Sequence, residues 1–101
     1  MSGVVFLLME SEERVVRSEL AQSLTVLGAD PACEVFVRGE SVAERHAQIS
    51  QGDEHFWLRA LDDAEVTVNG SVLYAAHALS NGDRIGLGSE ELLFVDPPLV
   101  S

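Results

Sequence analysis

The chain has 101 residues, 47% of them hydrophobic, and 17 acidic residues stand against 6 arginines and no lysine. The length predicts one domain, and the hydrophobic content excludes a disordered tail. The net charge of -11 disfavours nucleic acids and anionic lipid surfaces as partners, because proteins bind polyanions through Lys and Arg. The acidity indicates a basic protein partner, although the same charge also serves solubility.

A lone cysteine and short apolar runs exclude further classes. Cys33 has no second cysteine to pair with, which excludes an internal disulfide and a cysteine cluster for zinc, and we expect it to be a small buried residue. No run approaches the roughly 20 apolar residues of a membrane span, so we expect no direct membrane contact by this segment. Paired prolines near the end cannot continue a sheet interior. We therefore expect a domain over residues 1–96 and the start of a linker over residues 97–101.

Short apolar runs alternate with turn residues about every 8–12 positions, which predicts an all-β sandwich or barrel. In chain order the predicted strands are GVVFLLM, SLTVLG, CEVFV, HAQIS, HFWLRAL, EVTV, SVLY, DRIGLG and ELLFV. In the fifth of these runs Phe56 and Leu58 alternate with Trp57 and Arg59, the period of two that is typical of a half-buried strand.

Two Asn-Gly pairs predict tight hairpin turns, because Asn and Gly tolerate positive φ. Asn69 and Gly70 join EVTV to SVLY, and Asn81 and Gly82 give a second such turn. The segment SEERVVRSELAQSL fits two structures. Ser11 followed by two glutamates is typical of a helix start, whereas the many short strands elsewhere favour strand and loop.

No catalytic constellation is present. The three histidines, His46, His55 and His77, lack the spacing of a zinc site, and there is no nucleophile elbow, phosphate-binding loop or dinucleotide fingerprint. Asp62 and Asp63 would point to opposite faces of a strand, and in a turn they are ordinary solvated caps. We therefore expect no enzyme, no cofactor and no metal.

The motifs become informative when they are taken in order. The runs TVLGADPACEVFV, SVAERHAQI, VTVNG, LSNGDRIGLG and LLFV together resemble the forkhead-associated (FHA) domain, from about Leu24 to Val95. The resemblance implies a β-sandwich of two twisted, mainly antiparallel sheets with functional loops at one end. It also implies that Gly28, His46, Asn69 and Gly70 shape loops, and that the His46 ring bonds to loop backbone rather than acting as a base.

The departures from the FHA pattern concern its phosphothreonine site. The arginine expected after Gly28 is Ala29, the phosphate-contacting serine is Ala43, the next arginine is Glu44, and the Asn-Gly that grips the peptide backbone begins at Ala64. Loss of two charge-assisted hydrogen bonds, at about 1.5–3 kcal/mol each, lowers affinity by about 10²–10⁴. The resemblance therefore implies a docking module that does not need phosphate.

Alternatives stay open at this level. Arg38 and Arg45 could rebuild an anion site, which would make the chain a phosphothreonine-peptide-binding signalling module. A third alternative is a small regulatory domain of an enzyme, but the sequence contains no feature that favours it. If the loops instead dock a protein, the expected surface is Arg38, Ala43, Glu44 and Arg45, with Asp62 and Asp63 nearby.

The Gly-x-Asp-Pro turn at Gly28, close behind the initiator Met, resembles one subfamily. It is the cytoplasmic head of type III secretion inner-membrane ring proteins (YscD, PrgH and MxiG type), which tend to lack the phosphate ligands and keep the later His. This resemblance implies a cytosolic sorting-platform partner and a position at the cytoplasmic face of a bacterial inner membrane through a downstream span. A ring homo-oligomer of the longer protein is implied as well.

Overall fold

Residues 4–10 and 15–97 are described by the computed structural model, and their regular structure consists of short strands. The strands are β1 (Phe6–Glu10), β2 (Val15–Glu19), β3 (Leu24–Gly28), β4 (Val35–Phe36), β5 (Ala47–Gln51), β6 (Phe56–Ala60), β7 (Val66–Val68), β8 (Ser71–Val72), β9 (His77–Ala78), β10 (Arg84–Leu87) and β11 (Glu90–Val95). In these residues no helix has the length and apolarity to cross a membrane.

The strands form two sheets. The first has the order β2-β1-β11-β10-β7-β8, and the second has the order β4-β3-β5-β6-β9. The strand pairs are antiparallel except for β3 and β4, which run parallel. The predicted sandwich of two mainly antiparallel sheets is thus confirmed.

The core lies between the sheets and follows the period of two. On β6, Leu58 is fully buried whereas Trp57 and Arg59 are exposed, as the sequence alternation predicts. Leu27 and Ile49 from neighbouring strands pack beside Leu58, and the first sheet contributes its own fully buried side chains, Leu7, Ile85, Leu87, Leu92 and Phe94. This packed centre fixes the strand ends from which the loops emerge.

The segment that fitted either a helix or a strand contains β2. Val15–Glu19 pairs antiparallel with β1 over its whole length, so the strand interpretation is confirmed there, while residues 11–14 lie outside the described part. An isolated helix would have needed its own packing face, whereas β1 offers an open hydrogen-bonding edge to the segment. CEVFV is shorter than predicted, because β4 comprises Val35 and Phe36 alone.

The two Asn-Gly turns differ. Asn69 and Gly70 have φ of 53° and 87° and link the paired residues Val68 and Ser71, which confirms a two-residue hairpin. The second predicted hairpin is wrong: the Asn81-Gly82 turn connects β9 in one sheet to β10 in the other. Gly82 has a φ of 93°, and the Asp83 N–H closes the turn by donating to the Ser80 carbonyl at 3.0 Å.

Candidate functional site

Three loops meet at one end of the sandwich, and we call this end the tip. They are residues 29–34 after β3, residues 37–46 before β5, and residues 61–65 between β6 and β7. Leu27 pairs with Ala47, and Ala47 pairs with Ala60. Because these three residues form one row across the sheet, the segments that adjoin them are brought together.

His46 fastens two of these loops from inside. Its side chain is buried, with 2% of the residue exposed. Nδ1 accepts a hydrogen bond from the Ala43 N–H at 3.0 Å, and Nε2 donates to the Glu65 carbonyl at 2.7 Å. Neutral imidazole supplies one acceptor and one donor, so one ring satisfies both backbone groups. Both ring nitrogens are engaged, which leaves the imidazole no free atom with which to act on a ligand.

The first loop is held against the second by its backbone. The Ala29 N–H donates to the Ala43 carbonyl at 2.9 Å, and the Asp30 N–H donates to the Glu44 carbonyl at 3.1 Å. Gly28 makes this approach possible, because a Cβ at that position would collide with the Glu44 carbonyl group. The requirement for glycine here comes from space, since a rigid backbone carbonyl occupies the place of the side chain.

A third contact ties the 37–46 loop to the first sheet. The Ser41 hydroxyl accepts a hydrogen bond from the Ser89 N–H at 2.8 Å, and the two hydroxyls lie 2.9 Å apart. Gly88, with a φ of 62°, brings this turn against the Ser41 backbone. The sequence did not reveal Ser41 or Ser89, because a serine pair 48 residues apart carries no local signal.

At the four positions where the resemblance to the family pattern places phosphate and peptide contacts, the side chains supply no hydrogen-bond donor. Ala43 and Glu44 are exposed, and Ala29 and Ala64 are half-buried. Methyl groups donate no hydrogen bond, and the Glu44 carboxylate repels an anion. These four side chains therefore offer an anion no hydrogen bond.

The 61–65 loop adds acidic groups in a strained turn. Asp62 and Asp63 are exposed and have φ of 51° and 60°, and the Ala64 N–H donates to the Leu61 carbonyl at 2.9 Å across them. Two consecutive non-glycine residues in the left-handed region are unusual, and Asp is among the residue types that tolerate it. The turn projects both carboxylates from the tip into solvent.

Arg38 and Arg45, the two candidate anion ligands, line different depressions. Arg45 lines one of about 290 Å³ together with Cys33 and two carboxylates, those of Asp30 and Glu34. Arg38 stacks over the Phe36 ring, with its guanidinium carbon 5.8 Å from the ring centre, and lines a separate groove. The structure therefore does not bring the two guanidinium groups together in one cavity.

Cys33 is half-buried rather than fully buried, and its thiol lies 3.2 Å from the Glu44 carbonyl, to which it donates. Burial raises the pKa of the Cys33 thiol, and the neighbouring carboxylates of Asp30 and Glu34 raise the pKa further. A raised pKa keeps the sulfur protonated and weakly nucleophilic. The thiol thus acts here as another link between the two loops.

Asn69 and Gly70 lie at the opposite end of β7 from the tip, since Asn69 follows Val68 and the acidic loop precedes Val66. The Asn69 amide donates to Asp83 at 3.0 Å and accepts from the Arg84 N–H at 2.9 Å. These residues therefore support the fold from the far end rather than shape the tip loops.

Asp83 is the hub of that far end. Partial burial alone would raise its pKa, but hydrogen bonds from the Ser80 N–H, the Asn69 amide and His77 outweigh it, so the pKa of Asp83 lies below its usual range. His77 Nε2 is 3.1 Å from the carboxylate. No cluster of potential metal ligands occurs within residues 4–10 and 15–97.

Comparison with known families identifies the fold. The FHA domain model matches residues 25–88. The chain belongs to the FHA domain family. This family consists of protein–protein interaction modules, and the match spans the three tip loops, the Asn69 turn and the Asp83 network. A search of curated proteins found no match.

Solved FHA structures superpose closely at low sequence identity. The FHA domain of CT664 protein from Chlamydia trachomatis is 21% identical with a TM-score of 0.85, covering 95% of this chain and 100% of that one. The yeast Dun1 FHA domain, in complex with a doubly phosphorylated peptide, is 18% identical with a TM-score of 0.78, covering 99% and 80%. Identities this low show the fold alone.

Mycobacterium tuberculosis EmbR, in complex with a low-affinity phosphopeptide, is 20% identical to this FHA domain with a TM-score of 0.84. The superposition covers 98% of the present chain and 26% of EmbR. The chain thus spans about a quarter of that protein, and what EmbR binds is a property of EmbR.

Proposed function

We propose that this FHA domain is a non-catalytic docking and assembly module that recognises its protein partner without a phosphate group. The observation that carries the proposal is the tip itself. At the positions where the family places phosphate ligands, the exposed Ala43 and Glu44 and the half-buried Ala29 offer two methyl groups and a carboxylate. The loops around them are held by His46 as a preformed surface.

The expected loss of phosphate affinity favours docking over phosphothreonine binding. Two missing charge-assisted donors cost about 10²–10⁴ in affinity, and Glu44 adds repulsion toward a dianion. Asp62 and Asp63 extend the same negative surface. A partner with a basic, complementary surface fits this tip, since complementary charge raises association rates and selects orientation.

The competing function is phosphothreonine binding through Arg38 and Arg45. Both side chains are exposed, but they line separate depressions, and Arg45 shares its depression with two carboxylates. Micromolar binding of a phosphothreonine peptide that is abolished by Arg45→Ala would favour this alternative over docking.

Within this proposal, the domain is the cytoplasmic head of a type III secretion inner-membrane ring component that docks a cytosolic sorting-platform protein. The Gly-x-Asp-Pro turn at Gly28, the small residue Ala43 and the retained His46 support the assignment. The gene sequence beyond Ser101 tests it. A linker followed by about 20 apolar residues is expected, whereas a kinase or cyclase signature would contradict it.

Charge changes at the tip test the docking surface. Glu44→Arg, and Asp62→Asn combined with Asp63→Asn, are expected to weaken binding of a sorting-platform protein from the same organism by at least about tenfold, with an unchanged melting temperature, because Asn tolerates the positive φ of these two positions. Glu54→Arg is the matched control, because Glu54 is exposed in the loop at the other end of β5. Equal effects at both ends, or none at the tip, would place the docking surface elsewhere.

A further inference from the structure

The edge of the first sheet formed by β2 carries an interaction surface of its own. β2 ends the strand order of this sheet, and within residues 4–10 and 15–97 no strand pairs with its outer side. Its five residues, Val15 to Glu19, alternate in exposure. On its inner side lies a groove of about 480 Å³ whose lining is both apolar and charged, with Met9, Glu10, Val16, Ser18, Phe36, Arg38 and Glu90. Because β2 ends the strand order, an added strand can approach its outer side.

The hydrogen-bond pattern shows which backbone groups face outward. The Leu20 N–H donates to the Val5 carbonyl at 2.8 Å, so Leu20 belongs to the set that bonds to β1. In an antiparallel ladder such residues alternate with residues whose N–H and C=O point the other way. Ser18 and Val16 therefore face β1, while Arg17 and Glu19 direct their backbone groups to the free edge.

We propose that β2 pairs with β2 of a second copy of this chain, antiparallel, about a twofold axis at Ser18. In this register Arg17 of one copy lies opposite Glu19 of the second copy, and the arrangement repeats on the other side of the axis. Both residues direct their backbone groups to the free edge, so each pair exchanges two backbone hydrogen bonds. Val16 then lies opposite Leu20 on the inner face, and the 6-stranded sheet continues into that of the second copy.

Charge selects this register over its neighbours. Side chains directly opposite in an antiparallel pair share one face, and opposite charges there attract while like charges repel. Sliding one strand by two residues keeps the same side chains on each face. In one direction it places Arg17 opposite Arg17, and in the other it places Glu19 opposite Glu19. The opposite charges at these two positions therefore make the edge self-complementary, whereas two like charges would keep copies apart, as edge charges commonly do.

The side chains are available for this pairing. Arg17 and Glu19 are exposed, and neither forms an ion pair within the part of the chain that the structure covers. The Arg17 guanidinium lies over the Phe6 ring, with its carbon 4.0 Å from the ring centre, which holds it on the outer face. The net charge of -11 on each copy opposes association, so a weak dimer is expected. Tethering in an assembly would raise its occupancy.

Sedimentation velocity of the 101-residue chain at concentrations up to about 1 mM tests the pairing. Arg17→Glu and Glu19→Arg each create two like-charge pairs and are expected to weaken dimerisation by about tenfold or more, whereas the double variant restores it to within about threefold. A monomer throughout, or a dimer that all three variants form equally, would overturn the proposal.

Amide hydrogen exchange of the wild-type chain gives a readout that needs no variant. The N–H groups of Arg17 and Glu19 are expected to gain protection as the protein concentration rises, while that of Ser18 is protected at every concentration through its bond to β1. If dimerisation leaves the exchange of Arg17 and Glu19 unchanged, the contact lies on another surface and the proposal fails.

Discussion

The His46 ring lies 2.7 Å from the Glu65 carbonyl, so a side chain at the start of β5 fastens the loop that leads into β7. The same ring accepts the Ala43 N–H. His46 therefore holds the tip loops in place but is not itself exposed to a partner. In this FHA domain, the residue that shapes the tip is thus different from the residues that contact a partner. Under the proposed function, the shape of the tip is kept although other side chains stand at the positions of the family's phosphate ligands.

Replacing His46 tests the structural role. His46→Ala empties the buried position of the ring and leaves the partly buried Ala43 N–H and Glu65 carbonyl without their partner; a fully buried group of this kind costs about 1–3 kcal/mol. We expect the free energy of unfolding in urea to fall by roughly 2–4 kcal/mol. His55→Ala serves as the control, because His55 is exposed and its loss should change stability little. An unchanged urea midpoint for His46→Ala would contradict this role.

A second prediction concerns the lack of space for a side chain at Gly28. In Gly28→Ala the new methyl group meets the Glu44 carbonyl, so the two loops must separate. The free energy of unfolding, measured by thermal denaturation, should fall by about 1–3 kcal/mol. Gly39→Ala is the matched control, since its new Cβ would meet the side chains of Glu90 and Val42, which can shift more readily than a backbone carbonyl. Equal losses of stability in the two variants would show that the close approach at Gly28 does not matter.

The Asp83 network predicts a pH dependence. Because hydrogen bonds from the Ser80 N–H, the Asn69 amide and His77 hold the folded-state pKa of Asp83 below its ordinary value, its charged form stabilises the fold above that ordinary pKa. The contribution is lost as the pH falls through the folded-state pKa. Asp83→Asn should be less stable than the wild type at about pH 7, and the gap should narrow progressively below about pH 4. Urea denaturation of both proteins across this pH range measures the difference in their free energies of unfolding. A difference that does not change with pH would contradict the stabilising role of the Asp83 carboxylate.

Under the proposed phosphate-independent function, restoring the family's phosphate ligands should create phosphate binding. Combining Ala29→Arg, Ala43→Ser, Glu44→Arg and Ala64→Asn returns the family's side chains to a tip whose backbone is already in place. We expect this variant to bind phosphothreonine peptides about 10²–10⁴ times more tightly than the wild type, measured by calorimetry. Ala64→Asn alone serves as the control, because it restores no phosphate donor. Equal weak binding by all variants would mean that the loop backbone has changed too.

Most of the fold could be predicted from the sequence because the signals are local. The period of two on β6 and the Asn69-Gly70 pair each specify their structure within a few residues. The hairpin predicted at Asn81-Gly82 was wrong, since an Asn-Gly pair can also turn the chain from one sheet to the other. Only tertiary packing distinguishes a hairpin turn from a turn between sheets. The strand at Val15 was ambiguous for the same reason, as β1 supplies what its own sequence does not.

The site was predictable only in part. The positions of Ala43 and Glu44 followed from motif order, but the separation of Arg38 from Arg45 did not, because they are only seven residues apart in sequence. Arg38 lies over the Phe36 ring, whereas Arg45 lines the depression that Cys33 also lines. Side-chain direction in a loop depends on contacts that no short motif encodes.

The central claim, recognition without phosphate, is tested most directly by NMR titration of the 15N-labelled wild-type domain with a degenerate phosphothreonine peptide library, with the restored variant as positive control. The account predicts that the amide resonances of Ala43, Glu44 and Arg45 stay in place up to about 1 mM peptide while those of the restored variant shift. Saturable shifts of these wild-type resonances that disappear with the unphosphorylated library would contradict it.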